Sequence, residues 1–499
     1  MVRNRRHRPP FPLLLAALAA VLLGACSGGT GKDRGDGTPA KKKPNIVFVL
    51  TDDLSWDLIP YMPQVRRMQA EGVTFQNFLM ADSLCCTSRA TIFTGMYPHN
   101  TKVRTNFPPD GGYEVFRRNG GEQATFALAL RNAGYRTAML GKYMNGYKPR
   151  DGNGRTRNTP PGWSEWYVAG NGYPEFGYEL NENGRPVRYG HRPRDYMTDV
   201  LADKGTDFIQ RAGGSGQPFL LEIATFAPHG PFVPAPRHAK VFPDVKAPRP
   251  ASFNEADVSD KPSWLRTHRK LGRYWLDRID DSFRDRVRMV QSVDEMIGRI
   301  RSALKTLGLD RDTYVVFGSD NGFHLGEHRL AGGKMTPYTS DIRVPFVFTG
   351  PGIRAGGRVD AITQNTDLAP TFLDLARLRV PGTADGRSLV PFLRGTAPRD
   401  WREMALIEHV KPPFSAADPD RQDSLPGSPA TYNALRTADV LYVEYADGEL
   451  EYYDLTRDPD HLDNLAATMP AELRRRLSAL LYSLTHCSGV SCASAGRSR

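Results

Sequence analysis

The stretch that decides the fold is Pro44-Asn45-Ile46-Val47-Phe48-Val49-Leu50-Thr51-Asp52-Asp53. Its middle is a continuous apolar run, rich in β-branched residues, which is typical of a strand buried on both faces of a parallel sheet. The run ends abruptly in two adjacent carboxylates, Asp52 and Asp53. An apolar strand that stops at acidic residues predicts a functional site at that end of the sheet.

Four more stretches repeat this pattern of an apolar run that gives way to polar residues, at 136–140, 219–224, 313–317 and 344–348. The polar residues that follow them include Lys142, His229, Asp320-Asn321 and Thr349-Gly350-Pro351. Helical patterns lie between the runs, at 62–71, 125–133 and 284–307. This alternation predicts an α/β sandwich with a mostly parallel central sheet. Because parallel strands end at one edge, we expect all of these polar residues to converge there.

The pattern changes after about residue 400. Residues 441–445 and 450–453 flank Asp447-Gly448, which predicts a β-hairpin, and 471–484 has the periodicity of an amphipathic helix. We therefore predict four segments along the chain: a leader at 1–26, a tether at 27–43, a catalytic domain at 44–400 and a smaller antiparallel-sheet subdomain at 401–499.

Composition excludes several classes of protein. Of 499 residues, 40% are hydrophobic and 24% are charged, which excludes a disordered, collagen-like or multi-spanning membrane chain. The net charge of +11 is not gathered into long basic blocks, since no Lys/Arg run after the leader exceeds that at 41–43. We therefore expect no nucleic-acid partner, whereas an anionic substrate is compatible with the charge.

The N-terminus predicts export. Arg3, Arg5, Arg6 and Arg8 precede an apolar segment at 13–23 that is too short to span a bilayer, as in a signal peptide. The segment ends in Leu23-Gly24-Ala25-Cys26, which resembles a bacterial lipobox and predicts lipidation of Cys26; an ordinary secretory leader is the alternative. The Gly- and Lys-rich residues that follow would serve as the tether. We expect an extracytoplasmic protein, lipid-anchored to the cell membrane or secreted.

The remaining cysteines fall into two pairs. Cys487 and Cys492 lie in a small polar loop of a chain predicted to be exported, which predicts a disulfide between them. Cys85 and Cys86 are adjacent, and neighbouring cysteines rarely bridge each other because the geometry is strained. A role other than a disulfide with each other must therefore account for Cys85 and Cys86.

Two short acidic pairs predict a metal site. Asp52-Asp53 and Asp320-Asn321 each follow a predicted strand, and three crowded carboxylates repel one another unless a cation lies between them. These oxygen donors favour Ca²⁺, or less strongly Mg²⁺, over Zn²⁺. Either pair alone is more often a turn or a helix cap, and the two pairs together favour a metal.

The segment Ser83-Leu84-Cys85-Cys86-Thr87-Ser88-Arg89 predicts an anion-binding helix start. If a helix begins near Cys85, its free N–H groups and dipole attract an anion, and Arg89 lies one turn further on the same face. A cysteine at such a position beside an arginine is reactive. The alternative is a buried cysteine pair in a core helix.

At this point the sequence strongly resembles the sulfatase family. The motif CCTSRATIFTG at 85–95 is similar to the family's core pattern, and TDD, GKY, APHGP, SDNG, IRVPFVFTGPGI and YDLTRDPDHLDNLA follow in family order over 44–490. The resemblance implies an alkaline-phosphatase-like fold, with a large mixed sheet between helices and a smaller C-terminal α+β subdomain. PPGWSEWYVAG, DYMTDVLAD and SVDEMIGRI look most like the branch that acts on N-acetylglucosamine 6-sulfate.

The resemblance also implies roles for individual residues. Cys85 would be oxidised to formylglycine (3-oxoalanine) by a formylglycine-generating enzyme, and one Ca²⁺ would be held by Asp52, Asp53, Asp320, Asn321 and residue 85. Arg89, Lys142, His229 and Lys334 would be catalytic, and Lys142, His229, His328 and Lys334 would contact the sulfate ester. Thr87 departs from the family, which usually has proline there, and Met144 stands where many arylsulfatases have histidine.

Two other functions are weighed against a sulfatase. A phosphoester hydrolase of the same superfamily would normally use a threonine or serine nucleophile and, in two-metal members, histidine ligands, which Cys85 and the oxygen donors disfavour. A non-catalytic lipoprotein that binds sulfated glycans would retain an unconverted Cys85, and Thr87 is the residue that favours it.

Overall fold

The computed structural model describes residues 42–413, 415–416, 418–421 and 427–496. The predicted leader with Cys26, and the tether apart from its last two residues, lie outside the described residues. From Lys43 onward the described chain forms one compact unit. Within the described part, no helix has the length and apolarity needed to cross a membrane.

Eleven strands of the described chain form one large mixed sheet. They are β1 (Asn45–Thr51), β2 (Val73–Leu79), β3 (Arg136–Lys142), β4 (Glu165–Ala169), β5 (Glu179–Glu182), β6 (Arg185–Arg188), β7 (Phe219–Ala224), β8 (Thr313–Ser319), β9 (Arg343–Thr349), β10 (Gly357–Val359) and β11 (Thr363–Gln364). The order across the sheet is β10-β2-β9-β8-β1-β7-β3-β4-β5-β6, and β11 also pairs with β2.

Strand β1 lies near the centre of this sheet and is buried on both faces, and the burial agrees with its composition. It pairs in parallel with β7 on one side and β8 on the other, with Val47 opposite both Leu221 and Val315. All seven residues of β1 are buried, which explains why the run is apolar without alternation. The carboxyl ends of β1, β3, β7 and β8 therefore share one edge of the sheet.

The expectation that Thr349-Gly350-Pro351 joins this edge is wrong. Strand β9 runs antiparallel to both β2 and β8, so its carboxyl end lies at the opposite edge. Between β8 and β9 the described chain contains a single helix, the four-residue Thr339–Ile342. A parallel return needs a crossover of a dozen or more residues, usually a helix, whereas this connection stays at the edge where β8 ends and β9 begins.

Helices cover both faces of the sheet. The described α-helices are α1 (Pro63–Glu71), α2 (Cys85–Thr94), α3 (Pro98–Thr101), α4 (Gly112–Arg118), α5 (Phe126–Asn132), α6 (Met197–Gly213), α7 (Ser263–Arg266), α8 (Arg273–Thr306), α9 (Thr339–Ile342), α10 (Leu368–Leu375), α11 (Val390–Leu393), α12 (Ala471–Thr485) and α13 (Val490–Ala495). One core contains buried residues of α1, α6 and α8, and the other contains those of α2, α5 and α10. Helix α8 begins at Arg273, earlier than the sequence predicts. Its first turns are largely exposed, so they lack the buried apolar stripe by which an amphipathic helix is recognised in a sequence.

A second sheet lies near the C-terminus. Its antiparallel strands are β12 (Met404–His409), β13 (Tyr432–Thr437), β14 (Val440–Tyr445) and β15 (Leu450–Asp454), and β14 and β15 form the predicted hairpin. Helix α12 packs against this sheet. A disulfide joins Cys487 to Cys492. The division into domains at residue 400 stays a prediction.

One buried carboxyl group in β7 lacks partners. Glu222 is fully buried in the middle of the strand, and neither of its carboxylate oxygens has a hydrogen-bond partner among the described residues. Burial raises the pKa of Glu222 to about 8, and the positive charge of Arg89 only partly offsets this. Glu222 is therefore largely protonated in the folded protein at neutral pH.

We expect Glu222→Gln to remove a pH-dependent loss of stability. In the unfolded chain the carboxyl ionises near its ordinary pKa, whereas in the folded protein it ionises near 8. Stability from this group is therefore fully present at low pH and is lost as the pH rises between those two values, by about 1.4 kcal/mol per pH unit. Denaturant unfolding at pH 5 and pH 8 measures the free energy of unfolding of both proteins. Relative to the wild type, the variant should be more stable at pH 8 than at pH 5. A constant difference between the two proteins would contradict it.

Candidate active site

The site is built around Cys85, the first residue of helix α2. Strand β2 ends shortly before it, and the free N–H groups of the helix start lie at the edge where β1 and β8 end. Its Sγ lies 3.2 Å from Asp52 Oδ1, 3.6 Å from Asn321 Oδ1 and 2.8 Å from Lys334 Nζ. Cys85 is fully buried, and burial raises the pKa of its thiol well above the ordinary value.

Two lysines neutralise the two carboxylates that follow β1. Lys142 Nζ lies 2.5 Å from Asp52 Oδ2, and Lys334 Nζ lies 2.6 Å from Asp53 Oδ1. Asn321 Nδ2 also donates to Asp53 Oδ1, at 2.6 Å. The crowded carboxylates predict a cation between them, and the structure shows that two lysine ammonium groups supply part of that positive charge.

Arg89 anchors the third carboxylate. Its Nε donates to Asp320 Oδ2 at 2.8 Å, and its Nη1 donates to the carbonyl oxygen of Lys142 at 2.9 Å. Arg89 is fully buried, and its Nη2 has no hydrogen-bond partner among the described residues. A buried guanidinium with an unused donor is suited to bind an anion beside Cys85.

The charges shift the acid pKa values in opposite directions. Burial opposes ionisation of Asp52, yet Lys142 and the other nearby cations outweigh it and hold the pKa of Asp52 below its ordinary range. Burial, reinforced by the negative charge of Asp52, raises the pKa of Asp320 to about 6. Strongly displaced pKa values in one cluster are typical of a reaction site.

The donor set could hold one metal ion. One ligand atom each from Asp52, Asp53, Cys85 and His229 lies within 4.8 Å of the others, and all four residues are buried. The structure thus places His229 beside the predicted ligands Asp52, Asp53 and Cys85. Asp320 accepts a hydrogen bond from the backbone N–H of Asp53 at 3.3 Å, so it lies in the same cluster.

His229 is held by two acceptors. Its Nδ1 lies 2.8 Å from the carbonyl oxygen of Gly230, and its Nε2 lies 2.6 Å from Asp420 Oδ1. Burial alone would lower the pKa of His229, but the carboxylates of Asp53 and Asp420 raise it above the ordinary value. The ring is therefore poised to carry a proton.

Sequence reasoning missed Asp420. Its carboxylate contacts both His229 and Lys334, the latter at 2.8 Å, and its other oxygen accepts from Asn106 Nδ2 at 2.6 Å. Asp420 belongs to an irregular stretch more than eighty residues after Lys334, and no strand or motif at that position distinguishes it from other acids.

Sequence reasoning also missed Tyr173. Its ring lies 5.0 Å from Lys142 Nζ and 4.5 Å from the His229 ring, measured to the ring centroid. It lines a cavity of about 790 Å³ that opens beside the cluster, together with Lys142, Asn145 and Phe226. An aromatic wall beside charged groups is a suitable place for a polar ligand that has one apolar face.

His328 is not brought into this cluster. It is buried, its Nδ1 lies 2.6 Å from Glu255 Oε2, and its ring packs 4.3 Å from that of Tyr338. None of these contacts is with Cys85 or the residues around it. The prediction that His328 contacts the substrate therefore gains no support from the geometry.

Comparison with known families identifies this arrangement. The family described as Sulfatase matches residues 44–378, and the family described as N-sulphoglucosamine sulphohydrolase, C-terminal, matches residues 326–486. Human N-acetylglucosamine-6-sulfatase is 34% identical, and the match covers 99% of this chain and 93% of the relative. N-acetylglucosamine-6-O-sulfatase of Bacteroides thetaiotaomicron is 27% identical over 91% of this chain and 86% of its own length.

Solved structures share the fold. A protein crystallised with its substrate D-glucosamine-2-N,6-O-disulfate aligns with a TM-score of 0.70 and 26% identity, over 88% of this chain and 97% of that one. A phosphonate monoester hydrolase from Silicibacter pomeroyi aligns with a TM-score of 0.66 and 24% identity, over 88% of this chain and 93% of its own, a likeness of fold alone.

Proposed function

This chain belongs to the sulfatase family and is a sulfuric ester hydrolase, and from that premise we propose that it removes the 6-sulfate of a glucosamine-type sugar. Relatives that match nearly the whole chain are named for that reaction. The aromatic-lined cavity beside Lys142 and Tyr173 is large enough for one or two sugar rings.

The position of Cys85 is the observation that carries the proposal. Its Sγ lies at the start of helix α2, within 3.6 Å of a carboxylate, an amide and an ammonium group. Burial raises the pKa of the thiol, which makes an unmodified cysteine a poor nucleophile here. We propose that a formylglycine-generating enzyme, with O₂ as the oxidant, converts the Cys85 side chain to the aldehyde of formylglycine and releases the thiol sulfur as sulfide. One hydroxyl of the hydrated aldehyde then attacks the sulfate sulfur and displaces the sugar oxygen, and the other hydroxyl collapses to regenerate the aldehyde and expel sulfate.

The surrounding cations stabilise the charge on the sulfate. Lys142 and Lys334 lie on either side of the cluster, and Arg89 offers the unused Nη2 donor. These groups are buried and fixed before the substrate binds, so they need little reorganisation as negative charge develops. They hold the sulfate oxygens while the bond from sulfur to the sugar oxygen breaks.

His229 supplies the proton to the leaving sugar oxygen. A sugar alkoxide leaves poorly unless it is protonated, and the raised pKa of His229 favours the protonated ring. Its Nε2 is hydrogen-bonded to Asp420 in this structure. To protonate the leaving oxygen, His229 must exchange this hydrogen bond for one to the substrate. Asp420 therefore occupies a place that the substrate would take.

We propose that the metal is a single Ca²⁺ held by Asp52, Asp53, Asp320, Asn321 and the modified residue 85. The carboxylate and amide oxygens are suited to a hard cation. When bound, such an ion would act as a Lewis acid toward the sulfate oxygens.

The mature protein is proposed to be exported and lipid-anchored through Cys26, or secreted. The disulfide between Cys487 and Cys492 supports an oxidising compartment, because disulfides persist mainly in exported proteins. The lipobox-like sequence at 23–26 supports the anchor.

Two assays on protein from its own host test the function. We expect sulfate release from N-acetylglucosamine 6-sulfate to exceed phosphate release from the matching 6-phosphate at least 100-fold, because the site is built around a modified cysteine. Ion chromatography measures both anions. Faster phosphate release would favour the phosphoester hydrolase. No release of either anion, with an unmodified Cys85, would favour a non-catalytic glycan-binding lipoprotein, the alternative that Thr87 supports.

A further inference from the structure

Two adjacent aromatic side chains are exposed at the start of helix α8. Tyr274 is 66% and Trp275 is 37% accessible to solvent, and their rings meet edge to face at 5.2 Å. Adjacent exposed apolar side chains can form a contiguous patch, and such patches can mark an interaction surface. Neither is used by the reaction site described above.

The same strip of chain, residues 264–278, is strongly basic. It carries five cations and a single acid, Asp277; the cations are Arg266, Arg269, Lys270, Arg273 and Arg278. All five cations are exposed. Arg266 and Arg273 are only loosely paired, at 3.4 Å and 3.7 Å, with Glu449 and Asp277 respectively. The other three have no hydrogen bond or ion pair with any described residue.

Residues 264–278, the basic strip, are hydrogen-bonded to the loop that carries Lys334. Arg329 Nη1 donates to the carbonyl oxygen of His268 at 2.8 Å. The backbone N–H of Leu271 donates to Asn254 Oδ1 at 2.7 Å, and the N–H of Asn254 donates to the carbonyl oxygen of Gly326 at 2.7 Å. These bonds join the strip directly to residues 326–329, which precede Lys334 in the same connection between β8 and β9.

We propose that residues 264–278 form a second binding surface, for the chain of a sulfated polysaccharide whose terminal residue enters the reaction site. This rests on the proposed function, because it takes the substrate to be part of a sulfated polymer. The cations match the regular negative charge of such a chain, and the aromatic pair offers apolar faces on which sugar rings pack. Exposed cations act over about 10 Å at 0.1 M salt, so binding should be strongly salt-dependent.

The variant Arg269→Ser/Lys270→Ser/Arg278→Ser tests the charges. All three residues are exposed and unpaired among the described residues, so the fold should be unaffected. The matched control is Arg354→Ser/Arg358→Ser/Arg399→Ser, which removes the same charge from exposed positions away from the strip. We expect the strip variant to elute from immobilised heparin at clearly lower salt, while the control elutes close to the wild type. Equal shifts in the two variants would overturn the proposal.

A kinetic comparison separates this surface from the reaction site. We expect kcat/KM on a 6-sulfated heparan chain to fall at least about threefold in the strip variant, while kcat/KM on N-acetylglucosamine 6-sulfate is unchanged. Trp275→Ser should act in the same direction without a change of charge. Equal losses of kcat/KM on both substrates would overturn the proposal. It would also be overturned if the strip variant lost binding to phosphatidylglycerol vesicles while its retention on heparin was unchanged, because that result would indicate a lipid-binding surface. If the wild type releases no sulfate from either substrate, the proposed function fails, and heparin elution still decides whether the surface exists.

Discussion

Cys85→Ala is expected to abolish sulfate release while leaving the protein folded. In a well-studied hydrolase, removal of the nucleophile from a set of cooperating catalytic residues lowers kcat by about 10⁶-fold. We therefore expect a loss of at least about 10⁴-fold here. The side chain is small and buried beside charged groups, so alanine leaves the core of helix α2 in place. Sulfate release, together with thermal unfolding, measures both parts of the prediction.

Cys86→Ala is the matched control. Cys86 is also fully buried, but its Sγ lies 3.8 Å from Met144 Sδ, on the side of the core rather than beside the carboxylates. We expect this variant to retain turnover within about threefold and to lose only a little stability. Mass spectrometry of the peptide around residue 85 should show a loss of about 18 Da in the wild type, from oxidation of the thiol to an aldehyde. Full activity in Cys85→Ala would refute the formylglycine mechanism.

Removal of divalent cations is also expected to have a large effect. The four potential ligand atoms of the cluster lie within 4.8 Å of one another, so they can share one ion. After dialysis against EDTA we expect less than about 1% of the turnover to remain, because the ion supplies charge stabilisation that the lysines alone cannot replace. Added Ca²⁺ should restore turnover, and Mg²⁺ should restore it less well.

Asp53→Asn tests whether Asp53 coordinates the metal ion or only places a negative charge near it. The substitution keeps the shape of the side chain and removes one negative oxygen that contacts Lys334 and Asn321. We expect the Ca²⁺ concentration for half-maximal turnover to rise at least about tenfold. Circular dichroism before and after EDTA controls for unfolding. Restoration of turnover by Zn²⁺ but not by Ca²⁺ would contradict the choice of metal.

Much of the site could be predicted because its residues follow strands. Asp52, Lys142, His229 and Asp320 each lie at or just beyond the carboxyl end of a buried apolar run, and the structure gathers them at one edge of the sheet. Because β1, β3, β7 and β8 are parallel, their carboxyl ends converge at one edge, and the apolar runs predicted this convergence. The same reasoning was wrong for residues 349–351, because an apolar run does not encode the direction in which β9 crosses the sheet.

Asp420 and Tyr173 could not be predicted, because neither lies at the end of a predicted strand. They reach the cluster through irregular segments whose paths depend on long-range packing, and their sequence neighbourhoods resemble ordinary loops. The predicted contact between His328 and the substrate stays a prediction; in the structure its Nδ1 lies 2.6 Å from Glu255 Oε2.

The sequence by itself determined the class of fold, the buried parallel strand β1, a possible helix start near Cys85, and the catalytic family. These features depend on local periodicity, on strand ends and on short motifs, which are properties of neighbouring residues. Only the tertiary structure decided the antiparallel direction of β9, the pairing of Lys142 and Lys334 with Asp52 and Asp53, and the contact between Asp420 and His229. The three side-chain pairs join residues that are about ninety to nearly three hundred positions apart, and a buried charge takes whichever opposite charge the fold brings within reach. The direction of β9 depends on the path of the chain between β8 and β9, which the periodicity of the strand does not encode.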